Sequence, residues 1–240
     1  MCCFSGRVES VSDTRIFARL DGEVQILVYE MSVETKAANA MVLPIPTAPG
    51  VGEKAVEFVS LEGHPGFFAD LDGLFSPALS ELGSLSLGAP LAVQQVGAFE
   101  ASFVPSAADF GRLDPRFRLA PGIWRDAPDS LDYGFAVFQL GAGRRRVHPM
   151  AFRFATRDPE TLFFPTLHIH DGVVHELADF DHCLYAHAPE GMDWSLSDET
   201  VTPELSEKSR GLAWAGLPVH RRRVRGTFPN HDIWVSLGGS

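Results

Sequence analysis

The chain has 240 residues, 45% of them hydrophobic, and a formal net charge of −11. A chain of this length can bury a sizeable core. The acidic excess argues against a general nucleic-acid or anionic-membrane binder, because clustered Lys and Arg bind phosphate groups. No apolar run approaches the ~20 residues that span a bilayer. No signal-peptide pattern opens the chain either, so we expect a cytoplasmic protein.

The N-terminus carries two of the three cysteines, Cys2 and Cys3, and Cys183 is the third. A disulfide framework is therefore not expected. Because residue 2 is small, we expect Met1 to be removed, which makes Cys2 the N-terminal residue. A free amine and a thiol on one residue can act as a nucleophile or as an N,S metal ligand. The alternative is an apolar start to the first strand.

Alternating apolar residues predict antiparallel strands in the first quarter of the chain. Residues 14–20 and 23–34 are predicted strands joined by a turn at Asp21-Gly22. Residues 40–46 form a further strand, which Pro44 and Pro46 end or place at a sheet edge. Residues 55–61 alternate in the same way. A series of hairpins is therefore expected.

Helices and further strands follow in order. Helical spacing of apolar side chains predicts a helix over 65–75. Ser106, with Asp109 three residues later, predicts a helix over 106–113. The remaining predicted elements are a strand over 93–104, a hairpin of 133–140 with 147–155, a short helix over 204–212 and a strand over 233–237.

These elements predict a β-rich α+β fold, in which antiparallel hairpins carry a few short helices packed on the sheet. The chain is expected to form a single domain over 1–240. Within it, 189–240 is a less regular C-terminal extension.

Residues 163–187 hold five of the nine histidines: His168, His170, His175, His182 and His187. As one strand, 162–170 would place Phe163, Leu167 and Ile169 on one face, and Thr166, His168 and His170 on the other. Asp171-Gly172 is a turn signal that folds the chain back and brings His182, or its rival His175, towards that face.

Two imidazoles on one strand face predict a transition-metal site for zinc, iron or copper. The His-x-His pattern resembles sites in cupin-like and other β-sheet metalloproteins. We predict His168, His170 and His182 as ligands, completed by Cys2 and Cys3. The alternative is that these histidines fill polar hydrogen-bonding positions at a sheet edge.

Cys2, followed by Arg19 and Asp21 at the end of the next strand, resembles the start of cysteine N-terminal-nucleophile hydrolases, the penicillin V acylase and bile-salt hydrolase group. This resemblance implies that Cys2 attacks an amide while Arg19 and Asp21 support it. Segments 1–5, 39–46, 134–138, 148–152 and 163–171 are also similar to a family of uncharacterised bacterial proteins, which implies no activity.

Three classes of function remain open on the sequence. The first is a metal-dependent enzyme at the His-x-His site, and the second is a Cys2 amidohydrolase. The third is a non-catalytic binding or assembly protein. For the enzyme classes the expected partner is a small-molecule or peptide substrate.

Overall fold

The computed structural model describes residues 2–48, 50–76, 100–113, 115, 118, 132–188 and 192–238, without the side chains of Cys2 and Arg145. Strands dominate these residues, with short helices beside them, which confirms the predicted β-rich α+β class. Met1 and the predicted strand residues 93–99 lie outside the described residues.

Fourteen strands form within the described ranges. They are β1 (Cys2–Phe4), β2 (Ser10–Asp21), β3 (Val24–Thr35), β4 (Asn39–Ile45), β5 (Val56–Ser60), β6 (Ala101–Val104), β7 (Gly134–Leu140), β8 (Gly143–Ala155), β9 (Thr161–Phe164), β10 (His168–Ile169), β11 (Leu177–Ala186), β12 (Ser195–Leu196), β13 (His220–Pro229) and β14 (Ile233–Ser236).

Two sheets pack face to face as a sandwich. The five-stranded sheet has the order β10-β1-β4-β7-β6, and the seven-stranded sheet the order β12-β13-β11-β2-β3-β8-β5. Buried side chains of both sheets share one core, with Met41 and Leu43 from one sheet and Leu27 and Tyr29 from the other. This inter-sheet core is the space beside which the histidines lie.

Short helices cover the outer faces, as predicted. Helix α1 (Phe67–Gly73) and helix α2 (Pro203–Lys208) lie over the seven-stranded sheet, where Phe67 and Leu205 join its outer apolar cluster. The 3-10 helix Ala107–Arg112 covers the five-stranded sheet. Among the helices in the described ranges, none is long and apolar enough to cross a membrane.

The described residues 192–238 contribute strands to the seven-stranded sheet and to a third, two-stranded sheet. Strand β13 pairs along its whole length with β11, and β12 pairs with the start of β13. Strand β14 forms a two-stranded sheet with β9. The described residues 192–238 thus include strands and a helix.

Of the two alternatives predicted for the prolines of the 40–46 strand, the edge placement is wrong, because β4 is the middle strand of its sheet, whereas β4 does end at Ile45, directly before Pro46. Pro44, within β4, is tolerated because the neighbouring strand is short. Strand β1 pairs only with Met41 and Val42, so Pro44 has a paired strand, β7, on one side only. A proline can stand there without breaking a ladder on both sides.

The predicted hairpin of 133–140 with 147–155 is also wrong, although both strands exist. Strand β7 pairs with β4 and β6 in one sheet, whereas β8 pairs with β3 and β5 in the other. The short connection at Gly141 therefore crosses between the sheets. The two strands share the inter-sheet core through side chains such as Phe138 and Phe152, whose ring centroids are 5.9 Å apart.

The predicted single strand over 162–170 is divided in two. Strand β9 ends at Phe164, and β10 begins at His168 in a different sheet. Pro165 lies at the break, and it lacks the N–H that a continued ladder requires. Thr166, expected on the histidine face, is fully buried and donates its hydroxyl hydrogen to the carbonyl of His231 over 2.9 Å.

Candidate functional site

Three of the predicted histidines meet between the two sheets. Strand β10, which carries His168, is an edge strand of the five-stranded sheet, and β11, which carries His182, lies inside the seven-stranded sheet. His182 alternates in phase with Phe180 and Leu184, which face the inter-sheet core. The returning segment thus reaches the histidines across the sandwich. The three residues His168, His170 and His182 are named the histidine cluster below.

The rings of the cluster are closely spaced around His168. The ring centroids of His168 and His170 are 4.9 Å apart with planes 22° apart, which confirms that the two imidazoles lie on one side. The centroids of His168 and His182 are also 4.9 Å apart, and their Nε2 atoms are 3.3 Å apart. Phe180 stacks on His168 at 4.6 Å. The Nε2 pair is the central feature of the cluster.

Two side chains that the sequence analysis missed hold the segment carrying His168. The Asn230 side-chain oxygen accepts from the His168 N–H over 2.7 Å, and its amide donates to the His168 carbonyl over 2.9 Å. Asp232 accepts from the N–H groups of Thr166 and Leu167. Asn230 therefore acts as a strand partner beside this short edge strand. Nothing in the local sequence pattern indicated this long-range pairing.

Burial keeps all three imidazoles neutral at pH 7. It lowers the pKa of His168 to about 3, with a further contribution from the neighbouring His170. Burial also lowers the pKa of His170. Burial lowers the pKa of His182 well below its ordinary value, and electrostatic repulsion from His168, when that ring is protonated, adds to the effect. A neutral imidazole keeps a lone pair on one ring nitrogen, and that form is the one that binds metals.

The Nε2 separation fits two interactions. Two imidazoles on one tetrahedral zinc, with Zn–N bonds of about 2.0–2.1 Å, place their donor nitrogens about 3.3 Å apart. The same separation fits an N–H of one ring donating to the other. His182 Nδ1 is buried and has no hydrogen-bond partner among the described residues, and the nearest Asp181 oxygen is 3.9 Å away. In the described part of the chain, no group of three or more His, Cys, Asp or Glu residues is arranged to hold a metal ion.

A cleft of about 880 Å³ opens beside the cluster. One wall of the cleft is formed by residues 4–8, which comprise the last residue of β1 and the segment after it. The other wall is formed by the start of β11. His168 and His170 line the cleft. A small molecule in the cleft would therefore contact the imidazoles of His168 and His170 directly, whereas His182 lies behind them.

The cysteines predicted as ligands lie on β1. The backbone of Cys2 pairs with His168, and that of Cys3 with Ile169. Cys3 is fully buried in the apolar cluster on the outer face of the five-stranded sheet, together with Ile169. Cys3 therefore faces away from the histidine cluster, because successive side chains of a strand point to opposite faces.

Arg19 and Asp21, predicted to support Cys2, lie at the end of β2 in the other sheet. Arg19 points to the outer face, where its Nε and Nη2 donate to the carbonyls of Leu212 and Gly211 over 2.6 and 2.8 Å. Its Nη1 is 3.6 Å from Asp21. Through these hydrogen bonds Arg19 holds the turn after α2. Cys2 lies on β1, which belongs to the other, five-stranded sheet.

The remaining predicted residues lie outside the cluster. His175 is exposed and pairs with Asp171, with 2.9 Å between Nε2 and the carboxylate. His187 is buried on the outer side of the seven-stranded sheet, against Phe17. Cys183 joins that same outer cluster, and burial raises its thiol pKa.

Comparison with known proteins assigns no family. No family model matches the chain, and no curated protein matches it. One solved structure that matches this chain is the crystal structure of the caspase-8/P35 complex. It is 12% identical, with a TM-score of 0.39, over 94% of this chain and 91% of that chain. At this identity and TM-score the likeness assigns no function.

Proposed function

We propose that the protein is a metal-dependent enzyme whose metal site is the histidine cluster. The observation that supports this proposal is the 3.3 Å separation of the Nε2 atoms of His168 and His182. These nitrogens belong to buried, neutral imidazoles beside a cleft, which is the usual setting of a site that holds a metal and admits a ligand.

A third ligand would complete the site. His170, whose ring stacks on that of His168, is proposed as this ligand. Cys2 is proposed as a further ligand because its backbone pairs with His168. A thiolate with two imidazoles favours zinc, copper or iron over magnesium or calcium. A zinc ion bound here would lower the pKa of its water ligand to about 7, which supplies a nucleophile for hydrolysis.

Metal analysis of protein purified without a histidine tag tests the proposal. We expect about one zinc or cobalt ion per folded chain after loading and desalting, and a visible cobalt absorption band typical of tetrahedral coordination. His168→Ala and His182→Ala should each abolish stoichiometric binding. Cys2→Ser should weaken binding and change the cobalt spectrum.

His175→Ala is the matched control, because His175 lies in the same segment but is exposed and paired with Asp171. It should bind metal as the wild type does. Wild-type protein that stays metal-free after loading would contradict the proposal and leave the two imidazoles as a hydrogen-bonded pair. Full metal content in His182→Ala would contradict the assigned site.

The enzymatic part has its own test. The loaded protein should hydrolyse an activated ester such as p-nitrophenyl acetate. Chelation should end the reaction, and added metal should restore it. Stoichiometric metal without any metal-dependent turnover on ester, amide or phosphate substrates would make the protein a metal-binding protein instead of an enzyme.

A further inference from the structure

Two arginines lie on either side of strand β3 on the outer face of the seven-stranded sheet. Arg19 on β2 pairs with Ile26 on β3, and Ile26 pairs with Arg153 on β8. Paired residues of neighbouring strands point to the same face. The two guanidinium groups therefore flank Ile26 on the side away from the histidine cluster.

Both arginines donate hydrogen bonds to the turn that follows α2, but these bonds use only some of the guanidinium nitrogens. Arg19 donates from Nε and Nη2 to the carbonyls of Leu212 and Gly211, and Arg153 donates from Nη2 to the carbonyl of Arg210. Arg19 Nη1 and Arg153 Nε are buried and have no hydrogen-bond partner in the described ranges.

Two carboxylates form ion pairs with the same arginines. Asp21 is 3.6 Å from Arg19 Nη1, and Glu57 is 3.9 Å from Arg153 Nη1, both beyond hydrogen-bond distance. Their side chains are 59% and 68% exposed, so water screens them. The Arg19 side chain, by contrast, is 3% exposed. The charges of the buried Arg19 and of Arg153, whose side chain is 32% exposed, are therefore offset only in part by these solvent-exposed carboxylates.

A cavity of about 550 Å³ lies at this point. Arg19 and Arg153 line it, and Lys54 and Trp214 form part of its wall. The Arg19 guanidinium stacks on the Trp214 ring at 3.9 Å, which fixes its plane. Arg19, Arg153 and Lys54 outnumber Asp21 and Glu57 in the lining, although the whole chain is acidic.

We infer that this cavity binds the oxyanion group of a small molecule, a carboxylate or a phosphate, between Arg19 and Arg153. The oxygens of such a group accept from the partly exposed guanidinium group of Arg153, which is suited to planar or bidentate recognition of oxyanions, while the buried guanidinium group of Arg19 contributes its positive charge. Lys54 adds a third positive charge. This site is independent of the proposed metal site, which lies on the other face of the same sheet.

Titration of the full-length protein with inorganic phosphate and, separately, with acetate at constant ionic strength tests the inference. The readout is the NMR shift of the Trp214 indole N–H, assigned with a Trp214→Phe variant. A saturable response is expected. Saturation by phosphate alone identifies a phosphate group, by acetate alone a carboxylate, and by both an oxyanion in general.

Three variants locate the binding. Arg153→Gln should weaken affinity about tenfold or more, because a charged hydrogen bond contributes about 1.5–3 kcal/mol. Asp21→Asn should strengthen affinity severalfold, because it removes the negative charge nearest to Arg19 Nη1. Arg225→Gln, at an exposed arginine of β13, is the matched control and should bind as the wild type does.

The inference is overturned if neither anion gives a saturable response at tens of millimolar. It is also overturned if Arg153→Gln and Arg225→Gln bind equally. A weaker affinity in Asp21→Asn would show that the carboxylate itself positions Arg19 and would also refute the site. Circular dichroism of each variant checks that the fold is intact.

Discussion

His182 and His187 are two buried histidines five residues apart, and the structure uses them in opposite ways. His187 Nδ1 donates to the carbonyl of Pro218 over 2.8 Å, and its Nε2 accepts from the Trp214 N–H over 3.0 Å. Both ring nitrogens are thus satisfied by the backbone, and the tautomer is fixed. His182 has a second imidazole against Nε2 and nothing within hydrogen-bond distance of Nδ1 among the described residues.

Burial alone does not separate the two residues. Both are buried, and burial lowers the pKa of both. The distinguishing property is hydrogen bonding: His187 joins its strand to a turn, whereas His182 presents a lone pair or an N–H to His168. A buried polar group without a backbone role is the stronger candidate for function, since such groups are rarely left unsatisfied.

The largest stability effect is expected from His187→Phe. Phenylalanine has a similar shape but leaves the Pro218 carbonyl and the Trp214 N–H without their partner. Two such groups cost roughly 2–4 kcal/mol in the free energy of unfolding. Urea unfolding at pH 7 measures the loss. A change below about 1 kcal/mol would show that water replaces the ring and that His187 is not a structural link.

Acid should weaken the same link. Burial lowers the pKa of folded His187 to about 4, whereas a histidine in an unfolded chain titrates near ~6.5. Between these values the unfolded state binds a proton that the folded state does not. The stabilisation is therefore complete above pH ~6.5 and is lost as the pH falls towards 4. At pH 4.5 this group should have lost roughly 2.5 kcal/mol.

Comparison of the wild type with His187→Phe isolates this contribution. The variant lacks the titrating group, so the stability difference between the two proteins should shrink by roughly 2.5 kcal/mol from pH 7 to pH 4.5. Carboxylates that titrate in both proteins cancel in this difference. A constant difference between the two pH values would mean that folding does not change the pKa of His187.

The sequence predicted the two kinds of histidine unequally well. The alternation around Ile169 placed His168 and His170 together, and the turn signal at Asp171-Gly172 brought His182 back to them. Gly172 has the positive φ, +84°, that such a turn requires. The backbone partners of His187, Trp214 and Pro218, are about thirty residues away, and no local pattern indicates them.

Strand pairing shows the same limit at the level of the fold. The β2–β3 hairpin was predictable because Gly22 adopts a positive φ between two alternating strands. Strand β7 is apolar on both faces, and β8 is buried on both faces over 149–152, so periodicity did not indicate which sheet each would join. A short glycine connection permits a hairpin or a crossing between sheets. Only packing against the rest of the chain decides between them.

A smaller stability effect is expected from His182→Phe, the counterpart of His187→Phe. It leaves only His168 Nε2 without its partner and removes the unsatisfied Nδ1, so the net cost should be about 1 kcal/mol or less. Metal binding should nevertheless be lost completely. A stability loss equal to that of His187→Phe would remove the contrast between the two histidines and make both structural.

The smallest effect is expected from His175→Ala. The ring is 59% exposed, and its contact with the Asp171 carboxylate is a surface pair between side chains four residues apart. Such pairs contribute about 0–0.5 kcal/mol, and the free energy of unfolding should change by no more than that. The His175 carbonyl still accepts from the Asn230 amide in the variant, because that bond uses the backbone. The Asn230 contacts that hold His168 should therefore survive. Unfolding and metal titrations that match the wild type would restrict function to the buried histidines, whereas a loss of metal would extend the site to the rim of the cleft.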